Sequence, residues 1–283
     1  MQINDKGSIE GENRTLNTVL YVTLIIGAAI MVIPFVWMII TSFKPLDEIH
    51  AYPPTFIVHH PTIKAYVELF KLIPMGRYFF NSIFVAGTIT IANLFFCSLA
   101  GYAFAKHQFA GRDKIFMLLL GSLMIPWQVN LIPQFIIIKN LGWLNSYPGL
   151  IVPAMSSAFG VFLMRQFIKS IPNDLIDAAR IDGCGEFKIF GFIVIPLVKP
   201  ALAALAIFTF MAQWNNFVWP LVIIKTREMK TLPLALSVLN SQFGDNFAMV
   251  MAGAVVATIP VLVVFIFFQK FFVKGITFTG IKA

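Results

Sequence analysis

Six long, almost continuous stretches of apolar residues constrain the fold of this chain more than any other feature of its sequence. A helix of about 20 apolar residues crosses the hydrocarbon core of a bilayer and satisfies its own backbone hydrogen bonds there. The chain is 58% hydrophobic and only 12% charged, which leaves too few charged side chains to cover a soluble surface. The predicted spans are Leu16 to Phe43, Phe79 to Ala105, Ile115 to Ile137, Tyr147 to Met164, Ala201 to Ile224 and Phe247 to Gln269.

We therefore predict an all-α, polytopic membrane protein with six transmembrane helices. Residues 1–15 form a short cytoplasmic segment in this prediction, and residues 16–283 form one transmembrane domain. Most of the 21 Lys and Arg residues fall in segments on the same side as the N-terminus. Because such residues are enriched in cytoplasmic loops, both termini are predicted to be cytoplasmic. The basic residues form no run or stripe, so the net charge of +8 does not indicate a nucleic-acid partner.

The sequence lacks the residues that several kinds of chemistry need. The predicted spans contain no Asp, Glu, Lys, Arg or His, and a proton-coupled transporter usually needs such a group within the membrane. The phosphate-binding pattern G-x-x-x-x-G-K-[ST] is absent, so any energy from ATP would come from a partner. Cys97 and Cys184 have no His or Cys at metal-binding spacing, and no metal site is predicted.

Uncharged polar residues do occur in four of the spans, and two interpretations of them are open. Amides and hydroxyls either hydrogen-bond a neutral, hydroxylated solute or hold helices together, at about 1 kcal/mol each. The amides that flank Trp214 favour the first interpretation most, because an amide beside an aromatic ring suits a sugar. The residues are Asn81, Ser82, Thr88, Thr90, Asn93, Gln128, Asn130, Gln134, Ser156, Ser157, Gln213, Asn215 and Asn216.

The most informative segment lies between the fourth and fifth spans, at residues 171–197. Its sequence is I-P-N-D-L-I-D-A-A-R-I-D-G-C-G-E-F-K-I-F-G-F-I-V-I-P-L. Pro172 is typical of a helix start and Gly183 of a turn, so we predict two short helices, the second ended by Pro196. One predicted face holds Leu175, Ala178, Ala179 and Asp182, and a second holds Phe187, Phe190 and Val194. Such an element either docks in a groove of another protein or lies on the membrane surface.

The residue pattern of residues 171–197 closely resembles the EAA loop of ABC importer permeases, which docks on the ATPase, and we therefore call these residues the coupling segment. Asp177, Ala178 and Ala179 correspond to the E-A-A triplet, with Asp in place of the usual Glu. Asp182 and Gly183 correspond to the D-G pair, and Ile193 and Pro196 to the ending. Four further motifs resemble carbohydrate importer permeases of the maltose type, in particular the smaller six-span subunit: T-S-F-K-P from Thr41, Q-W-N-N-F-V-W-P-L from Gln213, T-L-P-L-A-L from Thr231 and F-V-K-G-I-T from Phe272.

This resemblance implies a type I ABC importer permease with a MetI-like fold in the bacterial cytoplasmic membrane. It implies a heterodimer with a second permease subunit, an ATPase dimer that holds ATP and Mg, and an extracytoplasmic solute-binding protein. The chain itself would bind no cofactor and would not be an enzyme. ATP would drive alternating access through the coupling segment. The alternative is a stand-alone secondary transporter or channel.

Two further sets of residues are candidates for contact with the transported sugar or with its binding protein. By resemblance, the outer loop from Lys225 to Asn246 contacts the binding protein, although a simple solvated hairpin is the alternative. Its candidate residues are Pro233, Ser237, Asn240, Ser241 and Gln242.

The candidate pathway or gate residues are Trp214, Asn215, Asn216 and Trp219. If one helix runs through them, Asn215 and Trp219 share a face as i and i+4. Pro220 would loosen that helix next to the gate. The alternative is that these residues only pack against the partner permease.

Overall fold

A computed structural model describes residues 6–277 of the protein, with side chains described for residues 16–241 and 244–267. All the regular secondary structure in residues 6–277 is helical, which confirms the predicted fold class. The helices are α1 (Lys6–Ser42), α2 (Leu46–Ile49), α3 (Lys64–Leu72), α4 (Met75–Lys106), α5 (Arg112–Ser122), α6 (Leu131–Asn140), α7 (Tyr147–Ile151), α8 (Ala158–Lys169), α9 (Asn173–Ile181), α10 (Glu186–Ile189), α11 (Ile195–Leu197), α12 (Lys199–Trp214), α13 (Val218–Ile223), α14 (Leu232–Phe243) and α15 (Phe247–Thr277).

Three helices contain a continuous stretch long and apolar enough to cross a membrane. These stretches are Leu16–Ser42 in α1, Met75–Lys106 and Phe247–Phe267 in α15. Three further candidates are bent pairs of helices, and the count reaches six if each pair is one span. One pair differs from our prediction, because it joins α12 to Glu186–Leu197, whereas the predicted span Ala201 to Ile224 covers α12 and α13. The pairs are Arg112–Ser122 with Trp127–Asn140, bent by 95°, Tyr147–Ala154 with Ala158–Lys169, bent by 41°, and Glu186–Leu197 with Lys199–Trp214, bent by 81°.

The breaks fall at residues that cannot continue a helix or that cap the next one. Pro126 has an extended ψ of 132° between α5 and the 3-10 turn Trp127–Asn130, and a proline has no N–H to donate to the preceding turn. Ser157 is extended and its Oγ accepts a hydrogen bond from the N–H of Gly160, which starts α8. Our prediction drew these spans as continuous because a count of apolar residues does not register one residue that ends a helix.

The chain forms two compact units. One contains the chain up to Ile73 together with Leu239–Val256, and the other contains Pro74–Val238 together with the chain from Ala257 onward. In the first unit, the Oγ of Ser42 is 2.7 Å from the hydroxyl of Tyr66, and Lys44 is buried with its Nζ bonded to the carbonyl of Thr55.

The second unit is built on the close packing of α4 against α8. A Cβ on Gly101 of α4 would lie 2.8 Å from the Cβ of Met164, and a Cβ on Gly160 would lie 2.7 Å from the Sγ of Cys97. Small residues at both points allow the helix backbones to approach closely, as is common in membrane helix pairs. Next to this contact lies an apolar core that contains Cys97, Tyr102, Val161, Met164, Ile168, Ile171, Ile176, Ala179, Ile189, Phe190, Val194, Val198, Ala201 and Leu205.

Candidate functional site

The coupling segment folds as two helical arms joined by a tight turn, as predicted. Pro172 caps the start of α9, and the turn after α9 contains Gly183 with a φ of +80°. In the turn, the N–H of Cys184 donates to the carbonyl of Ala179, 2.9 Å away. A left-handed φ strains most residues that have a Cβ, so the turn favours glycine at this position.

The second arm runs from Glu186 to Leu197 and contains a π-helical turn at Phe190–Val194. Here the N–H of Ile195 reaches the carbonyl of Phe190, five residues back. The next residue, Pro196, has no N–H and would clash with a carbonyl four residues before it, so the wider turn relieves that conflict. The arm therefore continues one residue past Pro196, to Leu197, where we had predicted that Pro196 would end it.

The predicted coupling residues lie mainly on the exposed side of this segment. Asp177, Ala178, Asp182, Gly183 and Pro196 are exposed, Ile193 is partly buried, and Ala179 is buried in the core. The predicted face that combined Ala178 with Ala179 is therefore wrong.

The predicted face of Phe187, Phe190 and Val194 is also wrong, because Phe190 and Val194 are buried while Phe187 is exposed. Instead, Phe187 belongs to a set of large apolar side chains that the coupling segment leaves uncovered. Ile181 is 87% exposed, and Phe187 and Phe192 are each 81% exposed.

Sequence reasoning missed Glu186, whose carboxylate links the coupling segment to α4. Its Oε2 accepts a hydrogen bond from the hydroxyl of Tyr102 at 2.6 Å, and its Oε1 accepts one from the Nε of Arg180 at 2.8 Å. The bond from Arg180, followed by the bond from Tyr102, lowers the pKa of Glu186 from its ordinary value, although partial burial opposes this. Sequence alone offered only an acid at the start of a short helix, which is common at helix starts for other reasons.

The candidate pathway residues occupy a break between helices and not one continuous helix, so their predicted i and i+4 face is wrong. Helix α12 ends at Trp214 and α13 begins at Val218. The Nδ2 of Asn215 donates at 2.9 Å to the carbonyl of Met211, which also accepts the helical bond from the backbone N–H of Asn215 at 3.1 Å. Pro220 lies in the first turn of α13, where a missing N–H costs little.

The two tryptophans at this break are buried, and both use their indole N–H groups within the unit. The Nε1 of Trp214 donates to the carbonyl of Ala257 at 3.1 Å, and the Nε1 of Trp219 donates to the carbonyl of Gly149 at 3.0 Å. Asn215 is exposed and Asn216 is partly buried. The structure therefore does not bring the four candidates onto one surface.

A narrow crevice does bring two of them, Asn216 and Trp219, together with polar groups from other elements. The hydroxyl of Thr231 is buried there, with no hydrogen-bond partner in the part of the chain that the structure describes. An unpaired buried hydroxyl is costly, and a bound water would satisfy it. Residues lining the crevice are Ser82, Val85, Leu150, Gln213, Asn216, Trp219, Pro220 and Thr231.

Two other polar residues of the spans hold helices and turns together. The Nδ2 of Asn81 donates to the carbonyls of Glu228 and Lys230, each at 2.9 Å, and its Oδ1 accepts from the hydroxyl of Tyr147 at 2.7 Å. The Nδ2 of Asn93 donates to the carbonyl of Ala154 at 3.3 Å. For these two residues, the interpretation as a link between elements is confirmed.

The outer loop predicted from Lys225 to Asn246 contains a helix, α14. Its buried positions include Leu232, Leu234, Ala235 and Leu239, and this spacing buries one face of a helix. Pro233 is partly buried in the first turn, where its missing N–H is tolerated. Ser237, Asn240 and Ser241 lie on the exposed face, while the side chain of Gln242 lies outside the described residues.

Comparison with known proteins decides the family. Residues 7–278 match the family described as binding-protein-dependent transport system inner membrane component. The chain belongs to this family. It is therefore a membrane permease subunit of an ABC transport system.

Several relatives in this family carry names that specify their cargo. The arabinooligosaccharides transport system permease protein AraQ of Halalkalibacterium halodurans is 38% identical over 258 residues, 90% of this chain and 92% of the relative. The lactose transport system permease protein LacG of Rhizobium radiobacter is 33% identical, covering 93% of this chain and 95% of the relative. The sn-glycerol-3-phosphate transport system permease protein UgpE of Yersinia enterocolitica is 33% identical, covering 94% and 98%.

Solved structures show the same fold at lower sequence identity. A chain of a bacterial ABC transporter involved in the import of the acidic polysaccharide alginate superposes with a TM-score of 0.82. The match covers 96% of this chain and 100% of that chain at 24% identity. A second chain, from the alginate ABC transporter in complex with its alginate pentasaccharide-bound periplasmic protein, superposes with a TM-score of 0.65 at 14% identity.

Proposed function

We propose that this permease carries a carbohydrate into a bacterial cell by alternating access, driven by ATP hydrolysis on separate subunits. The observation that supports a carbohydrate most is the similarity, over 90% or more of the chain, to permeases named for arabinooligosaccharides and lactose. A neutral cargo also fits the absence of ionisable residues from the predicted spans, since a charged solute needs a counter-charge in the membrane.

In the proposed assembly, the chain pairs with a second permease subunit to form a heterodimer. Two ATPase subunits bind ATP and Mg, while this chain holds no cofactor or metal and catalyses no covalent reaction. An extracytoplasmic solute-binding protein delivers the sugar, and both termini of the permease lie in the cytoplasm. The exposed Ile181, Phe187 and Phe192 support docking of the coupling segment on an ATPase subunit, because this one short segment leaves three large apolar side chains uncovered.

The decisive experiment reconstitutes the complex with its partner subunits in proteoliposomes and measures the uptake of labelled sugars. Arabinotriose and lactose are the probes, with sn-glycerol 3-phosphate as the charged comparison. We expect uptake of a neutral sugar that requires internal ATP and survives an ionophore. Uptake that continues without ATP, or that an ionophore abolishes, would refute the ATP-driven importer and favour a secondary transporter.

The second candidate cargo is sn-glycerol 3-phosphate, which the similarity to UgpE favours. A phosphate would need a cationic site along the pathway. The crevice at the α12–α13 break contains no Lys or Arg among its lining residues. Uptake of glycerol phosphate with no uptake of either neutral sugar would favour this second cargo.

The coupling segment is the proposed route by which ATP energy reaches the membrane helices. Gly183→Asp should abolish transport, since a side chain at a φ of +80° distorts the turn between the two arms. Gly185→Asp is the matched control, because Gly185 has an ordinary φ of −72° and open space around its Cβ position. Normal uptake by Gly183→Asp, at equal membrane expression, would refute the role of this turn.

The crevice lined by Asn216, Trp219 and Thr231 is the proposed contact of this chain with the solute. Single cysteines at Gln213 and Asn216, the two partly buried amides that line the crevice, should react with a polar methanethiosulfonate reagent in a background without Cys97 and Cys184. We expect the labelling to change when arabinotriose or trapped ATP is present. A cysteine at Asn215, exposed but outside the crevice, is the control, and identical behaviour at all three positions would refute a pathway role.

The exposed face of α14 is the proposed contact with the solute-binding protein. Asn240→Trp adds bulk to this face without disturbing the buried Leu239. We expect the binding protein to stimulate ATP hydrolysis less in this variant, while the complex still assembles. Stimulation at the unaltered level would indicate that α14 only connects two membrane segments.

A further inference from the structure

Glu186 joins three parts of one unit through a single carboxylate. Tyr102, near the end of α4, donates to one carboxylate oxygen, and Arg180, near the end of α9, donates to the other. The Nε2 of His107, the first residue after α4, is 3.3 Å from the same oxygen that Tyr102 reaches. Glu186 itself is the first residue of α10, so the carboxylate contacts the end of α4 and both arms of the coupling segment.

A second contact fixes the other end of α9 to the same end of α4. The Nζ of Lys106, the last residue of α4, donates to the Oδ1 of Asn173 at 2.8 Å and also to the carbonyl of Ile171. Asn173 is the first residue of α9 and Arg180 lies in its last turn. Because both ends of α9 are attached to the end of α4, the first arm cannot swing away from α4 without breaking one of these contacts.

The exposure of Glu186 and its partners indicates how much their contacts contribute to stability. The side chains of Glu186, Arg180 and His107 are 43%, 38% and 34% exposed, and ion pairs this accessible to water contribute little to stability. The coupling segment is already held by the buried side chains of Ile176 and Ile189. Apolar contacts of this kind hold two elements together but are not directional, whereas hydrogen bonds to a carboxylate set an angle between them.

We propose that Glu186 is a positioning residue that makes α4 and the two arms of the coupling segment move as one body. This proposal rests on the proposed function, in which the coupling segment receives the movement of the ATPase subunits. When those subunits move α9, the contacts through Arg180, Glu186 and Tyr102 carry that movement to α4. Without them, α9 moves against its apolar contacts and part of the movement is lost before it reaches the membrane helix.

Glu186→Gln tests the proposal in the full complex in proteoliposomes. The amide keeps the shape of the side chain but loses the charge that binds Arg180. The number of sugar molecules imported per ATP hydrolysed should fall at least about fivefold, the lower end of typical coupling between two sites. The probe is arabinotriose, or lactose if the unaltered complex accumulates only lactose, and ATPase subunits should copurify as before.

Three further variants separate positioning from folding. Tyr102→Phe keeps the ring against Phe190 and removes one hydrogen bond, so it should lower the same ratio by less. Glu186→Asp retains the carboxylate and should restore part of the ratio. Glu68→Gln is the matched control, because Glu68 is a similarly exposed acid that pairs with Lys64 in the other unit.

The proposal is overturned if Glu186→Gln leaves the ratio unchanged. It is also overturned if the ratio falls only in proportion to lost ATPase subunits, because that shows a folding defect. Failure of the proposed function gives a different result, since the unaltered complex would then show no uptake that depends on ATP. Combining Tyr102→Phe with Glu186→Gln should add nothing to Glu186→Gln alone, and additive losses would show that the two residues act separately.

Discussion

Helices α1 and α4 are both long and apolar, yet they differ in their surroundings. None of the residues in the most apolar window of α1 is buried within this chain, whereas 39% of the corresponding window of α4 is buried. Gly27 of α1 has open space where its Cβ would lie, and Gly101 of α4 faces Met164 at 2.8 Å. Within the described residues, Thr23 of α1 bonds only its own helix, to the carbonyl of Val19, whereas Asn81 of α4 bonds two other segments.

This difference shows that apolar content identifies a membrane helix but not its neighbours. Lipid and a neighbouring helix are about equally apolar, so leucine and isoleucine do not distinguish between them. Small residues and fully bonded amides do distinguish, because they allow close approach or require a partner. We therefore expect changes in α4 to affect this chain strongly and matched changes in α1 to have little effect on it.

Removal of a buried side chain from α4 should have the largest effect. Ile89 is fully buried, and Ile89→Ala should lower the stability of the chain by about 2 kcal/mol, the lower end for such changes. The lower end applies because lipid is about as apolar as the core of the chain, whereas water is not. Thermal denaturation of the purified chain in detergent measures this. Ile30→Ala in α1, where the side chain is 63% exposed, is the control, and an equal loss there would contradict the comparison.

Overpacking of the contact between α4 and α8 should be the next largest effect. The added methyl groups of Gly101→Val would overlap Met164 and the backbone of Arg165, which costs about 1–3 kcal/mol. Gly27→Val in α1 and Gly87→Val in α4 both add side chains to open space. The melting temperature should therefore fall more in Gly101→Val than in the other two variants. An equal decrease in all three would indicate that the helix propensity of valine is the cause.

Loss of a bridging amide should have a smaller effect. Asn81→Leu leaves the carbonyls of Glu228 and Lys230 and the hydroxyl of Tyr147 without this partner, at a cost of about 1 kcal/mol for interhelical hydrogen bonds in membranes. Thr23→Val in α1 removes a hydroxyl that bonds only its own helix. Hydrogen exchange near residues 228–230 should accelerate in Asn81→Leu only. Unchanged exchange there would mean that the amide is dispensable.

The smallest expected effect concerns pH at the end of α4. The hydrogen bond from Arg180 lowers the pKa of Glu186, so the ionised carboxylate stabilises the folded state at neutral pH. That stability is fully present above 4.5, the ordinary value, and is lost as pH falls through the lower folded value. The loss should be below about 1 kcal/mol, because the pair is partly exposed.

Hydrogen exchange at neutral pH and at about pH 3.5, corrected for the intrinsic rate, measures this loss. Residues 100–107 should lose protection at the lower pH, with Tyr102, His107 and Arg180 as the groups that face Glu186. Leu16–Ser42 has no ionisable acid or base among its spanning residues apart from Tyr21 and should not change. An equal loss of protection in α1 and α4 would show that low pH loosens the whole chain and not the contacts of Glu186.

Sequence determined the all-helical membrane architecture of this protein, because only a helix lets about 20 consecutive apolar residues span a bilayer with every backbone group paired. It also located the coupling segment, since prolines, glycines and acids at fixed spacing dictate local turns that no distant contact needs to complete. Gly183 has the left-handed φ that such a turn requires.

Only the tertiary structure decided where the spans break, which polar side chains are satisfied and what attaches the coupling segment to α4. The break between Trp214 and Val218 lies inside the predicted fifth span, and counts of apolar residues do not register it. Glu186 and Tyr102 are 84 residues apart in the chain, so no local pattern pairs them. Their contact exists because α4, α9 and α10 pack around one core, and the position of a side chain relative to a distant helix is a property of that packing.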